Sequence, residues 1–281
     1  MKVSNTGQII RECREKAGFT QKTLAAALHI TDKAISKWER GICLPDVALL
    51  PKLSLLLDTD MEVFLSSSIE QEQWAGVIDI RDCDFAQPVY DKPLAYYLLS
   101  HYLLLGITRV HVLTNEQNRS FLQDGVFRSF GFDLRFDLPG EERLMIINHP
   151  WFLFGSDLTQ QFQGAMLSGR NTKLVPMNQE PVVFFAQDSH LYFSDPKRFV
   201  KTAAVRTLGR GMVCLDIDDR DKVLETASFV KTYQQNAGLL IASLEEIAFR
   251  KGLVSYEKLE ELAAQTAYRK VLLDTCKPKV D

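Results

Sequence analysis

The sequence predicts two domains of different class: an all-α domain over residues 1–66 and an α/β domain over residues 74–281, joined by a short linker at 67–73. Three observations carry this expectation. Residues 1–65 keep helical periodicity almost throughout and contain no convincing strand. Ser66-Ser67-Ser68 and Glu70-Gln71-Glu72-Gln73 then interrupt the chain with the small, polar composition of a flexible connection. Beyond Trp74, short β-type runs alternate with helical stretches, the pattern of an α/β sheet with right-handed crossovers. With 281 residues, 46% of them hydrophobic, the chain holds enough apolar material for two ordinary cores or one large one.

Composition narrows the function classes. The formal net charge is −3, so the chain as a whole exerts no pull on nucleic acid. Any such binding must rest on a local surface. The five cysteines (Cys13, Cys43, Cys83, Cys214, Cys276) are odd in number, widely scattered and without a CxxC pair. They read as reduced thiols of a cytoplasmic protein rather than a disulfide or metal framework. No stretch reads as a signal-peptide core or a membrane span, which makes the expected location cytoplasmic, with no membrane partner.

The informative run is Phe19–Gly41. Thr20 is a good N-cap for a short helix opening at Gln21. Leu24, Ala25 and Leu28 share one face of it, and Ala25 is small enough to let a second helix cross closely. His29 and Ile30 make the turn. Thr31 is a second N-cap, and Asp32 places a negative charge in the next first turn. In that second helix Ala34, Ile35 and Trp38 face the core, while Lys33, Ser36, Lys37 and Arg40 are left outward. Gly41 closes the helix as a C′ residue.

Thr-Gln at the first helix, its small middle residue, and Ile-Ser-Lys-Trp-Glu-Arg-Gly at the end of the second closely resemble the Cro/repressor-type helix-turn-helix family, also called the xenobiotic-response-element family. Gly7–Ala17 resembles that family's first helix, and Asp46–Leu57 and Asp60–Leu65 its fourth and fifth. His29 departs from the pattern, which has glycine in a left-handed turn, at a modest expected cost.

The resemblance implies a five-helix DNA-binding domain that lays Asp32–Arg40 in the major groove. Asp32, Lys33 and Lys37 are then the base readers. A lysine can donate to guanine O6 and N7, and Asp32 can accept from cytosine N4, although capping accounts for Asp32 equally well. Gln21 and Thr31 contact phosphates or buttress the readers, Ser36 lies on the same face, and Arg40 serves the backbone. Residues 1–65 carry nine basic side chains (Lys2, Arg11, Arg14, Lys16, Lys22, Lys33, Lys37, Arg40, Lys52). Against them stand eight acidic ones (Glu12, Glu15, Asp32, Glu39, Asp46, Asp58, Asp60, Glu62). One such unit has little electrostatic drive, so two linked copies on a two-fold double-stranded DNA site are expected: a homodimer or higher homo-oligomer.

In the second domain, Ala75–Ile80, Arg109–Thr114, Leu144–Asn148 and Gly211–Leu215 read as strands, and Pro93–Leu105, Asp157–Leu167 and Arg220–Gln235 as helices. The last forty residues are helical again, with a turn near Gly252. Pro88-Val89-Tyr90-Asp91-Lys92-Pro93, then Phe154-Gly155-Ser156-Asp157-Leu158, then Cys214-Leu215-Asp216 and Gly238–Ala248 follow in the order seen in sugar-1-phosphate nucleotidylyltransferases, glucose-1-phosphate thymidylyltransferase among them. The chain is similar to that family over most of residues 74–275, which implies a nucleotidyltransferase-like, Rossmann-like domain with a mixed sheet.

The family's catalytic parts are missing from the places where the resemblance puts them. Its Gly-rich phosphate loop should follow the first strand, where backbone N–H groups approach the phosphates. Here Arg81-Asp82-Cys83-Asp84-Phe85-Ala86-Gln87 is short, has no glycine and adds aspartates that repel phosphate. Pro150 stands where the first Mg²⁺-binding aspartate belongs, leaving Asp216 at the second position. The base-reading segment is cut down to Asp137–Glu142, and the sugar-contacting part is compressed into Lys173–Phe193, with Glu180-Pro181 a faint remnant.

The expectation is a pseudoenzyme: no catalytic residue, no cofactor and no metal site, with Asp216 an ordinary surface or capping aspartate. Tyr90, Asp91, Lys92 and Tyr97 serve packing or subunit contact. His101, His111, His149 and His190 have no ligand spacing and read as structural. The domain is left with oligomerisation, sensing of a sugar-phosphate or nucleotide-sugar effector, or both. The alternative is an active nucleotidylyltransferase carrying an accessory DNA-binding domain.

Overall fold

The structure is a computed structural model that describes residues 5–40, 45–46, 49–59, 74–140, 142–177, 179–209 and 211–277. Gly41, the fifth helix expected at Asp60–Leu65, and the linker at 67–73 lie outside these residues. Backbone contacts divide the chain into two compact units, residues 1–72 and 73–281.

In the first unit α1 (Asn5–Lys16), α2 (Gln21–Leu28), α3 (Asp32–Glu39) and α4 (Leu50–Leu56) surround one apolar cluster. Ile10, Leu24, Ala25, Leu28, Ile35, Trp38 and Leu53 are buried in it. Thr20 caps α2 as its sequence requires: its hydroxyl accepts from the Thr23 amide, and Thr23 answers from its own side chain. His29 adopts φ 59°, ψ 41°, the left-handed conformation the turn needs. The amide of Ile30 then reaches back to the Ala25 carbonyl at 3.0 Å, closing the helix end. Helix α4 starts later than Asp46; Pro51 sits in its first turn, where a missing N–H costs nothing.

The second unit is built on a seven-stranded mixed sheet. Its strands are β1 (Trp74–Asp79), β4 (Arg109–Leu113), β5 (Asp133–Arg135), β6 (Arg143–Ile147), β8 (Thr172–Val175), β9 (Val183–Ala186) and β10 (Ala204–Thr207). Their spatial order is β10-β8-β9-β6-β1-β4-β5. β1 is parallel to both β4 and β6, whereas β9 runs antiparallel to β6 and β8. Two antiparallel ribbons stand apart: β2 (Pro88–Val89) with β3 (Lys92–Pro93), and β7 (Trp151–Phe154) with β11 (Val213–Asp216). The compressed segment Lys173–Phe193 thus still supplies most of β8, all of β9 and most of a helix, α9 (Ser189–Ser194).

Helix α5 (Leu94–Leu105) is apolar on every side and almost wholly buried against this sheet, as an all-round hydrophobic helix must be. Tyr102 lies on Gly76 of β1, where a Cβ would approach its ring to 2.6 Å. The Tyr102 hydroxyl donates to the Val77 carbonyl at 2.7 Å. The remaining helices are α6 (Glu116–Leu122), α7 (Gly125–Ser129), α8 (Leu158–Met166), α10 (Pro196–Thr202), α11 (Arg220–Ala237), α12 (Leu244–Arg250), α13 (Tyr256–Ala263) and α14 (Arg269–Cys276). Gly252, at φ +70°, makes the turn between α12 and α13.

Candidate functional site

The first candidate surface is the outer face of α3. Burial of Ile35 and Trp38 pins the opposite face to the core, so the three-to-four-residue spacing of Lys33, Ser36, Lys37 and Arg40 puts them together on the outside. Thr31, Asp32, Lys33, Lys37 and Arg40 are exposed and Ser36 is half-buried. Thr31 is spent on capping: its hydroxyl accepts from the Ala34 amide at 3.3 Å. Asp32 folds onto its own turn, accepting from the Lys33 amide at 2.8 Å. Arg40 Nε donates to the Ser36 carbonyl at 3.1 Å. Neither Lys33 nor Lys37 pairs with a carboxylate among the described residues, so both ammonium groups face outward.

Gln21 has a different position from a free phosphate donor. Its side-chain amide donates to Glu39 Oε2 at 2.7 Å. Glu39 is in turn gripped by Arg14, with Nε to Oε1 at 2.5 Å and a second guanidinium nitrogen to Oε2 at 3.2 Å. Both partners are nearly buried, with side chains 9% and 5% exposed. Arg14 also donates to the Phe19 carbonyl at 2.8 Å. The Glu39 carboxylate hydrogen bond raises the Arg14 pKa further, so the guanidinium keeps its charge. Gly7 adds to the clamp: a Cβ there would collide with the carbonyls of Trp38 and Glu39. Together these groups lock the end of α3 onto α1 and the start of α2. Sequence reasoning counted Arg14 only as a charge; its available signal was its place on the face of Ile10 and Gly7, one and two turns back respectively.

The second candidate site is a cavity of about 640 Å³ at the carboxyl ends of β1 and β6. From β1 the chain passes to β4 on one side, and later to β6 on the other, so a crevice opens there. Asp79 at the end of β1 and Arg81, Asp82 and Cys83 just after it line the cavity, with Asn148, His149 and Pro150 following β6 and Tyr192 from α9. Burial, aided by Asp84 and Asp82, pushes the Cys83 thiol up to about 12. Burial and the nearby Asp79 push the Tyr192 phenol to about 12. Both groups therefore stay neutral and are poor nucleophiles. A second cavity of about 570 Å³ shares His149 and is lined by Trp151, Glu180, Asp216 and Lys222.

The ribbon explains how distant residues meet there. Asp216 stands opposite Trp151 in the β7–β11 register, and the Ile217 amide donates to the Pro150 carbonyl at 2.9 Å. That brings His149 Nε2 to 2.6 Å from Asp216 Oδ1. Lys222, in the first turn of α11, directs Nζ to Asp216 Oδ2 at 3.1 Å and to Asp218 Oδ1 at 2.7 Å. These hydrogen bonds raise the Lys222 pKa and lower that of Asp218.

The sequence did not bring His149 and Asp216 together; the structure joins them in a partly exposed, hydrogen-bonded pair. Together with Asp218 they place one ligand atom each within 4.8 Å of one another. The resemblance to nucleotidylyltransferases implies Mg²⁺ at this place, and the residues present do not fit it. Both Asp216 oxygens are engaged, a lysine ammonium lies between the carboxylates, and the third donor is an imidazole, which the hard Mg²⁺ ion disfavours.

Most of the other residues singled out are engaged within the fold. Lys92 is fully buried, bonded to Asp91 at 2.9 Å and held over the Tyr268 ring at 4.0 Å. The Tyr97 hydroxyl donates to the Val89 carbonyl at 2.7 Å. Tyr90 is exposed and takes a left-handed φ of 63°. His101 packs edge-on against Phe162, His111 meets Asp137 at 3.0 Å, and His190 is exposed at the start of α9. No helix among the described residues is long and apolar enough to cross a membrane.

Comparison with known proteins adds to both units. Residues 10–64 match the family model described as helix-turn-helix. The HTH-type transcriptional regulator ImmR of Bacillus subtilis is 39% identical over 59 residues, which are 21% of this chain and 46% of that protein. The glucose-1-phosphate thymidylyltransferase of Neisseria meningitidis serogroup A / serotype 4A is 29% identical over 259 residues, covering 66% of this chain and 89% of the relative. A glucose-1-phosphate thymidylyltransferase of Xanthomonas campestris pv. campestris is 24% identical over 245 residues, 63% of this chain and 83% of the relative. The chain therefore joins a helix-turn-helix domain to an α/β domain that resembles sugar nucleotidylyltransferases.

Proposed function

We propose that this chain is a sequence-specific, DNA-binding transcriptional regulator of the cytoplasm. Helix α3 enters the major groove, Lys33 and Lys37 address base edges, and Arg40 addresses the backbone. The observation that carries this is the outward pair of lysines, without a carboxylate partner among the described residues, on a helix clamped from behind by Arg14 and Glu39. Asp32 caps its own helix and is the weakest of the readers, and Gln21 and Thr31 act as buttresses.

The α/β domain is read as catalytically inactive and as the source of the dimer or higher homo-oligomer, of effector sensing, or of both. The short loop after β1 and the lysine-bridged carboxylates support inactivity. A sugar phosphate or nucleotide sugar is the effector class implied by the relatives' names. An effector that binds one state better shifts both melting temperature and operator affinity.

The test is a duplex titration against salt, on operators recovered by genome-wide mapping of bound sites. Replacing both Lys33 and Lys37 by Ala should weaken operator binding and relax its sequence preference, whereas Arg40→Ala should flatten the slope of log K against log salt by about 1 for the phosphate no longer neutralised. Unchanged binding defeats the DNA reading. One observation favours a second reading: relatives named glucose-1-phosphate thymidylyltransferase align over most of their length. Pyrophosphate release from deoxythymidine triphosphate and glucose 1-phosphate with Mg²⁺ would establish that reading, and its absence supports the inactive domain.

A further inference from the structure

The carboxylate pair at the head of α11 already holds a cation of its own. Asp216 ends β11, Asp218 follows two residues later, and Asp219 caps α11 by accepting from the Lys222 amide at 2.9 Å. This cap sets Lys222 in the first helical turn, from which its side chain folds back over both carboxylates. The remaining Asp216 oxygen is taken by His149. Pro150, next to that histidine, offers no side-chain donor at all.

We propose that the Lys222 ammonium is a built-in substitute for a divalent cation, so that this site takes its ligands without metal. The inference rests on the reading of the domain as inactive and deepens it by naming the device. An ammonium bridging a carboxylate pair cancels half of its charge and occupies one oxygen of each. A doubly charged ion entering the same oxygens would sit about 4 Å from that ammonium, and their repulsion even in bulk water weakens ion binding by about thirtyfold. Lys222 is 39% exposed, so the bridge can be opened by substitution without hollowing the core.

The probe is Mn²⁺, followed by its own paramagnetic resonance on the full-length protein. The wild-type chain should bind it only weakly. Lys222→Met should bind it at least about thirtyfold tighter, since the repelling charge is gone. That gain should vanish in the Lys222→Met, Asp216→Asn double variant, which locates the ion. Lys222→Arg keeps the charge and should behave as wild type, which separates loss of charge from loss of fold. Wild-type affinity equal to that of Lys222→Met overturns the proposal, as does a Lys222→Met variant that folds by circular dichroism yet gains nothing. The readout involves no duplex and no turnover, so its failure is distinct from failure of the duplex titration or of the pyrophosphate assay.

Discussion

Replacing Glu39 by Ala should loosen the helix-turn-helix unit from inside. The Arg14 guanidinium is only 9% exposed on its side chain and would lose two charge-assisted hydrogen bonds, at 2.5 and 3.2 Å. The Phe19 carbonyl and the exposed Glu15 carboxylate would remain as its partners. Removing one member of a buried pair typically costs about 3–5 kcal/mol, because the other charge is left unmatched. The Glu15 interaction places this case near the low end, at about 3 kcal/mol. A unit of this size has a total stability of only about 4–10 kcal/mol, so roughly a third to three quarters of its reserve is at stake. Amide hydrogen exchange on the full-length chain reads the effect directly. Protection of Leu24–Leu28 and Ile35–Trp38 should fall by about a hundredfold, while β1 and β6 keep theirs. Glu39→Gln keeps an acceptor and should lose less. Unchanged protection in Glu39→Ala would refute the claim that this pair holds α3 in place.

Two further outcomes follow from single groups. His101 is buried, and desolvation lowers its pKa from 6.5 to about 4. Between those values the unfolded chain takes up a proton that the folded chain refuses, so stability falls as pH drops from 6.5 towards 4, by about 3 kcal/mol in all. Urea midpoints of wild type and His101→Phe across that window should diverge; parallel curves would remove His101 as the cause. His29→Gly relieves a left-handed backbone at φ 59° and should stabilise the unit by about 0.5–1 kcal/mol, read as raised exchange protection in α2, whereas a loss of protection would contradict the strain argument.

Much of the molecule is readable from the sequence because it is decided within a few residues. The Thr20 and Thr31 caps, the His29 turn and the inward positions of Leu24, Ile35 and Trp38 all depend on neighbours one helical turn away. β1, β4 and β6 announce themselves as short, mainly apolar runs, and α5 as a helix apolar but for Ser100 and His101. Tertiary structure alone decided which distant positions meet. Arg14 reaches Glu39 across 25 residues, and His149 reaches Asp216 across 67. The β7–β11 ribbon and the antiparallel insertion of β9 between β6 and β8 likewise have no local signature. Periodicity and capping report on what one element prefers; which charged group answers another depends on how separate elements pack, and only the folded chain supplies that distance.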